Sequence, residues 1–205
     1  MISCEEVFKS LKESIGDDAL SLEGTGFDSV ILLRQTSVHP ALEKLKGSGF
    51  NVLIDLTAVD YSQYGQGAQR HGLPVEVPNP APRRGCRFKL TYRLMSLDAG
   101  TGLVEGRVAL QCWVEGEQGP LSVQDLWPNA DWLEREVWDM FGVRFADRPE
   151  IKRLLLYEQF EGHPLRKDYP INKRQPLIGP KDDHSRDRMT EGDLRPRLVP
   201  RDKES

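Results

Sequence analysis

The sequence predicts an α+β fold: a mixed or antiparallel sheet with helices packed on one face, followed by an extended C-terminal tail. Three observations lead to this prediction. The patterns run helix, two strands, helix, three strands, helix, which is typical of a sheet whose helices are segregated to one face. The longest strand patterns place apolar side chains at every second position, as in strands that bury one face. From Glu161 onward, prolines recur and large apolar side chains are sparse.

The first part of the predicted domain contains two helices and two short strands. Val7, Leu11 and Ile15 recur at helical spacing near the N-terminus, so they share one apolar face. A glycine-containing turn separates the two strands. The predicted helices are Ser3–Ser14 and Pro40–Lys46, and the predicted strands are Ala19–Leu22 and Ser29–Arg34.

Three longer strands follow. In the first of them, Val52, Ile54, Leu56 and Ala58 occupy alternate positions and are expected to share a face. The other two form a hairpin around a glycine-rich turn at residues 98–102. The predicted strands are Phe50–Asp60, Arg87–Leu97 and Leu103–Glu115. Between the first and second, residues 63–85 are rich in Gly and Pro without any period, which predicts a long surface loop.

The last predicted helix lies between Asn129, a candidate N-cap, and Gly142, at the position of a helix-ending glycine. Its apolar face, at i, i+4, i+7 and i+8, consists of Leu133, Val137, Met140 and Phe141. On another face Asp131, Arg135 and Asp139 are spaced by four, which predicts an ion-pair ladder at the surface. This polar face is typical of a docking surface.

These patterns divide the chain into an α+β domain over residues 1–160 and an extended segment over residues 161–205. The prolines of the second segment block helix continuation. Ordering a residue costs about 1–2 kcal/mol of backbone entropy, more than so little apolar burial offsets. We therefore expect residues 162–205 to be flexible in the free chain and ordered against a partner.

Composition and the N-terminal sequence indicate on which side of the membrane the protein is expected. The 205 residues are 38% hydrophobic with a mean hydropathy of −0.52, and no apolar run approaches the ~20 residues that cross a membrane. The N-terminus lacks the basic region and unbroken apolar run of a secretory signal. We expect a protein on the cytoplasmic side that reaches the membrane only through its partners.

Composition also argues against several kinds of site. Cys4, Cys86 and Cys112 are widely separated without a C-x-x-C pair, which disfavours a disulfide, zinc or iron–sulfur site. No phosphate-binding glycine loop, G-x-S-x-G or H-E-x-x-H is present. Residues 171–205 hold nine Lys and Arg against seven Asp and Glu, and the pI of about 5.7 argues against nucleic-acid binding.

The charged residues of the last helix and the segment after it fit either a catalytic or a docking role. Glu134, Glu136 and Asp139 are dispersed around the helix, so ion pairing or docking is favoured over acid–base catalysis. His163 stands alone before Pro164, which favours a hydrogen-bonded loop histidine over a metal ligand. The charged run that follows fits a docking segment or a solvated surface, and the residues alone leave both open.

Three blocks between residues 134 and 169 carry a family resemblance. They read EREVWDMFGVRF, PEIKRLLL and FEGHPLRKDY, in that order. Together they closely resemble the signature of the C-type subunit of bacterial NADH-quinone oxidoreductase, the 30 kDa subunit family of respiratory complex I. The family usually has His-Pro where this chain has Arg148-Pro149.

The resemblance implies a non-catalytic structural subunit in the peripheral arm of complex I, which supports electron transfer from NADH to quinone. FMN and iron–sulfur clusters would be carried by partner subunits, with none on this chain. The implied partners are chiefly the hydrogenase-large-chain-like subunit, designated D, and also subunits B and I, on the cytoplasmic side of the inner membrane. The expected docking residues are Glu134, Arg135, Glu136, Asp139, His163, Arg166, Lys167, Asp168 and Tyr169.

Other classes remain as alternatives. Within the same superfamily, the chain fits the equivalent subunit of a membrane-bound hydrogenase or a ferredoxin-driven relative. From other classes, a stand-alone enzyme using Glu134, Glu136 and His163 and a nucleic-acid-binding module using the tail are the competing hypotheses.

Overall fold

The computed structural model describes residues 4–23, 29–64, 85–148 and 150–175. Three α-helices and a five-stranded sheet lie in this part of the chain. The helices are α1 (Cys4–Ile15), α2 (Val38–Gly47) and α3 (Ala130–Phe141). The strands are β1 (Ala19–Glu23), β2 (Val30–Leu33), β3 (Val52–Asp60), β4 (Cys86–Leu97) and β5 (Val104–Glu115).

The sheet has the strand order β1-β2-β5-β4-β3. Only the contact between β2 and β5 is parallel among these neighbours; the other three are antiparallel. The predicted α+β class with a mixed sheet is therefore confirmed. The predicted hairpin of β4 and β5 is confirmed, and it lies inside the sheet between β2 and β3.

One hydrophobic core joins the apolar faces of the helices to one face of the sheet. Phe88, Leu90, Tyr92 and Leu94 of β4 are all fully buried in it, because residues two apart point to the same side of a strand. From the helices, α1 contributes Leu11, while α2 and α3 contribute Leu42 and Val137.

The alternation in β3 is interrupted. The register between β3 and β4 shifts between Leu53 and Asp55, so Leu53 is buried and Ile54 is 46% exposed. The prediction that Ile54 shares a face with Leu56 and Ala58 is wrong, because the extra residue at a β-bulge reverses the alternation.

The chain divides into two compact units, residues 1–173 and residues 174–205. The first unit extends beyond the predicted boundary at residue 160, because residues 161–173 make hydrogen bonds to the α+β body. As far as Lys173, the segment from Gly162 lies hydrogen-bonded to the α+β body, and its flexibility in the free chain stays a prediction. The rest of the predicted flexible tail, 176–205, and most of the predicted loop, 65–84, lie outside the described residues.

Candidate docking surface

Helix α3 is the element from which this surface is built. Its end at Gly142 matches the prediction: this residue has φ +78°, and its N–H donates to Trp138 O at 2.8 Å. At the other end, Asn129 occupies the predicted N-cap position but does not cap the helix with its side chain. Its Nδ2 instead donates to Leu53 O at 2.8 Å and ties the helix start to β3.

Residues 150–173, here called the strap, run beside α3 and then across to the sheet. Gly142 allows the close approach: a Cβ there would lie 2.7 Å from His163 Cδ2 and 3.1 Å from Arg166 Nη1. A side chain at this position is thus excluded by both its positive φ and the strap. The Leu165 N–H donates to Met140 O at 3.1 Å and fixes the strap against the last turn of the helix.

Glu134 is fully buried beneath this surface. Its carboxylate accepts hydrogen bonds from Ser122 Oγ and the Val123 N–H, both at 2.8 Å, and from Arg148 Nη1 at 3.0 Å. Burial raises the pKa of Glu134, against the opposing effect of these donors. Its predicted placement on an exposed polar face is wrong, because the segment before α3 and Arg148 both close over it.

Asp139 is also fully buried, and it is the anchor of the strap. Its Oδ2 accepts hydrogen bonds from the consecutive N–H groups of Leu154, Leu155 and Leu156 at 3.1, 2.9 and 2.9 Å. Its Oδ1 pairs with Arg153 Nη1 at 2.6 Å. Burial opposes ionisation, but these donors outweigh it and lower the pKa of Asp139.

The predicted surface ladder is replaced in part by bonds to the strap. Asp131 and Arg135 lie 4.0 Å apart, at the limit of an ion pair, while Asp131 pairs closely with Arg148. Arg135 donates instead to Lys152 O at 3.1 Å and to Arg153 O at 2.9 Å. The ladder prediction is therefore confirmed for the Asp131–Arg135 pair and wrong for Asp139, because Arg153 and N–H groups of the strap take up the carboxylate of Asp139.

His163 holds the strap to the end of α3. Its Nδ1 donates to Asp139 O at 2.9 Å, and its ring packs edge-on against Trp138 with centroids 6.0 Å apart. Burial lowers its pKa and favours the neutral imidazole. This geometry agrees with the predicted hydrogen-bonded loop histidine.

A third buried carboxylate, that of Asp60, fixes the far end of the strap. Asp60 accepts hydrogen bonds from Arg87, the shortest at 2.7 Å, and one from the Lys167 N–H at 2.9 Å. Arg87 also pairs with Asp168 at 2.6 Å. Burial opposes the charge of Asp60, but Arg87 and the amides of Lys167 and Ser62 outweigh it and hold its pKa well below the usual range.

Of the remaining predicted docking residues, most bond within the chain. Arg166 Nη1 pairs with Glu117 at 2.8 Å, and the Tyr169 ring stacks on Phe160 with centroids 6.1 Å apart. Glu136 and the side chain of Lys167 are exposed, and neither side chain has an ion pair within the described part of the chain. These two remain available to a partner.

Exposed apolar side chains lie along α3 and the strap. Trp132 is 60% exposed and stacks on the Arg135 guanidinium, which lies 5.4 Å from its ring centroid. Leu155 is 62% exposed and Leu165 is 50% exposed, although the backbone N–H of each is hydrogen-bonded to α3. Large apolar side chains held outward on a fixed backbone are typical of an interaction surface.

Sequence reasoning missed four residues that fasten this surface: Asp60, Arg87, Arg148 and Arg153. One signal for Asp60 was present, because it continues the inward alternation of Leu56 and Ala58 and so places a carboxylate on a buried face. The arginines carried no such signal, since their partners are distant in sequence.

Within the described ranges, no group of three or more His, Cys, Asp or Glu side chains is arranged to hold a metal ion. The three cysteines are free thiols. None of the described helices is long and apolar enough to cross a membrane.

The fold and this surface define a class of protein: an α+β domain that carries a strap anchored on buried carboxylates and presents a fixed mixed surface. Comparison with known proteins gives the family. The family model described as respiratory-chain NADH dehydrogenase, 30 Kd subunit, matches residues 31–175. The chain belongs to this family, as its three sequence blocks predicted.

Curated relatives agree with the family model. The NADH-quinone oxidoreductase C subunit of Francisella philomiragia is 39% identical over 148 residues, and that of Francisella tularensis subsp. holarctica is equally similar. Each match covers 66% of this chain and 66% of the relative, so the chain spans just under two thirds of their length.

Two solved structures share the fold. The trypsin-resistant fragment (1-134) of Nqo5 has a TM-score of 0.54 and 29% identity, and the match covers 71% of this chain and 97% of the fragment. A chain of the membrane-bound sulfane sulfur reductase, an archaeal respiratory membrane complex, has a TM-score of 0.56 at 21% identity. That match covers 82% of this chain and 86% of the other.

Proposed function

We propose that this chain is a non-catalytic structural subunit in the peripheral arm of a proton-pumping NADH:quinone oxidoreductase. It holds its partner subunits through α3 and the strap, and supports electron transfer from NADH to quinone without carrying the electrons. FMN and the iron–sulfur centres belong to the partners. The main partner is the hydrogenase-large-chain-like subunit, with subunits B and I as further neighbours, on the cytoplasmic side of the inner membrane.

The observation that supports docking is the outward set of apolar side chains on a fixed backbone. Trp132 and Leu155 are each more than half exposed, and burying each against a partner would contribute favourable free energy. Because Asp139 already holds the strap, little conformational entropy would be lost at the moment of binding.

The buried charged residues hold the surface in shape, and the exposed charged residues are available to a partner. Asp60, Asp139 and Arg153 shape the surface from within, so they act on docking indirectly. Glu136 and Lys167 are exposed and would meet complementary charges on a partner, which steers association more than it adds affinity.

The test uses the assembled complex, purified from membranes through a tag on another subunit. We expect Trp132→Asp and Leu155→Asp each to weaken retention of this chain about tenfold, as substitutions of interface anchors do. Leu103→Asp is the matched control, because Leu103 is 68% exposed at the distant β4–β5 turn, and it should be retained like the wild type.

Turnover separates a structural role from a chemical one. Complexes that keep the variant chain should oxidise NADH with quinone at the wild-type rate per assembled complex. A loss of more than about 100-fold in fully assembled complex, the scale of general acid–base catalysis, would contradict the non-catalytic part of the proposal.

One observation favours a second candidate. Because the fold also matches a chain of the sulfane sulfur reductase complex, the equivalent subunit of a membrane-bound hydrogenase or ferredoxin-driven relative is the alternative. Co-purified partners separate the two: a flavin-containing NADH-oxidising subunit favours the first, and a complex that accepts electrons from ferredoxin favours the second.

A further inference from the structure

The sheet face that points away from the helices carries a groove of about 610 Å³. The groove crosses β2, β5, β4 and β3 and is partly open to solvent. Its outward side chains are Val30, Ile54, Arg93, Met95, Arg107 and Ala109.

The strand register explains the concave shape. Val30 lies opposite Ala109, and Ala109 lies opposite Arg93, so a small side chain stands between two longer ones. Met95 and Arg107, opposite one another in the next register position, continue the wall. The β3 bulge turns Ile54 onto this same face, where it is 46% exposed.

The sequence of β2 suggests that this face does not stay open to water. All four residues of Val30–Leu33 are apolar, a pattern found in strands that are covered on both faces. β2 is also half of the parallel pair, and parallel strands usually have both faces covered. Ile31 and Leu33 point into the helix-covered core. Of the two outward residues, Leu32 is already buried within this chain, and Val30 borders the groove.

Two arginines line the groove. Arg93 and Arg107 are both exposed on its walls, and Arg93 makes no hydrogen bond or ion pair with any other described residue. Asp55 lies opposite Arg93 in the β3–β4 register. An occupant with an apolar stripe flanked by carboxylates complements the apolar lining of the groove and its two arginines.

We propose that the groove binds an acidic amphipathic segment of another subunit of the complex. Apolar side chains of that segment fill the space over Ala109, beside Ile54 and Met95, and its carboxylates pair with Arg93 and Arg107. Small molecules usually bind in pockets that enclose them, whereas peptides bind along grooves. A groove that crosses four strands therefore fits a polypeptide better than a small molecule. The inference rests on the proposed function, because the segment comes from the same assembly, but this surface is separate from α3 and the strap.

The test places the photo-crosslinking residue benzoylphenylalanine at Ile54 in the assembled, purified complex, with Val59 as the control position. Val59 is on the same strand and is 42% exposed, but it does not line the groove. We expect the Ile54 probe to link to a peptide of another subunit that has apolar residues next to Asp or Glu. A link to this chain itself, to lipid, or to a peptide without carboxylates would overturn the proposal.

Substitution and oxidation give two further readouts. Arg93→Gln should weaken retention of the chain about tenfold, with an unchanged melting temperature of the free chain, whereas Arg93→Lys should keep most of the retention. Peroxide oxidation of Met95 should be several-fold slower in the complex than in the free chain. Equal oxidation in the two states would contradict an occupied groove.

The outcomes distinguish this inference from the function on which it rests. If the wild-type chain does not co-purify with any respiratory subunit, the proposed function fails. If the chain is retained through α3 and the strap but Met95 stays equally reactive, only the groove proposal fails.

Discussion

The sheet and the strap are held in place by different interactions. In the sheet, apolar side chains such as Leu90 and Leu94 bury themselves at alternate positions of β4. In the strap, Asp139 and Asp60 gather backbone N–H groups and arginines around buried carboxylates. Burial in the sheet follows from residue type, whereas burial in the strap depends on which groups neutralise a charge.

Because the carboxylates that anchor the strap are buried, the docking surface is less charged than the sequence predicted. The charges expected to face a partner largely point inward, where Glu134 and Asp139 are fully buried. The side chains that point outward include Trp132 and Leu155, which are apolar. The carboxylates therefore shape the surface, and the apolar side chains are the groups left to contact a partner.

The largest effect should come from removing the anchor of the strap. Asp139→Ala leaves Arg153 and three N–H groups without their acceptor, and breaking a buried ion pair from one side costs about 3–5 kcal/mol. We expect that loss in the free energy of unfolding measured with urea. Glu136→Ala on the exposed side of the same helix is the control and should stay within about 0.5 kcal/mol of the wild type. Equal losses for both variants would contradict the anchoring role.

Acid should weaken the strap more than the sheet. The folded-state pKa values of Asp60 and Asp139 are lowered, so their stabilisation is complete above the unfolded-state value of about 3.9 and is lost as the pH falls below it. Glu134 has the opposite sign: burial raises its pKa, so its contribution is present below about 4.3 and is lost as the pH rises through the folded-state pKa.

The measurement is the free energy of unfolding between pH 3 and pH 7. The wild type should lose stability below about pH 4 more steeply than Asp139→Asn, which has no carboxylate to protonate. Leu90→Ala, a sheet substitution expected to cost about 2–5 kcal/mol, should lower the whole curve without changing its pH slope. If Asp139→Asn and the wild type follow parallel curves, Asp139 does not supply the acid sensitivity.

The smallest effect tests the sheet core. The hydroxyl of Tyr92 is buried and has no hydrogen-bond partner in the described part of the chain. Tyr92→Phe should therefore leave the free energy of unfolding unchanged or raise it by up to about 1 kcal/mol, because an unsatisfied polar group is removed. A loss of more than about 1 kcal/mol in the same urea experiment would mean that the hydroxyl is bonded after all.

Much of the fold could be predicted from the sequence, because period and glycine placement are local signals. The alternation in β4 and the end of α3 at Gly142 follow from such signals. The bulge that exposes Ile54 could not be predicted, since it arises from pairing with another strand.

The site was less predictable than the fold. The sequence predicted that the docking residues lie in α3 and in the segment after it. The orientation of Glu134 and Asp139, however, depends on Arg148 and on strap amides 14 or more positions away. Helical spacing alone placed these carboxylates on the surface. The partners that draw them inward are contacts of the folded chain, which no local pattern encodes.

Hydrogen exchange on the free chain measures whether the strap is anchored before a partner binds. If the strap is anchored before any partner binds, the amides of Leu154, Leu155, Leu156, Leu165 and Lys167 should exchange at least about 100-fold more slowly than in an unstructured peptide. Asp139→Ala should remove the protection of the first three while the β4 amides stay protected. Exchange of the wild-type strap amides at the rate of an unstructured peptide would show that the surface forms only on assembly, and would contradict the account.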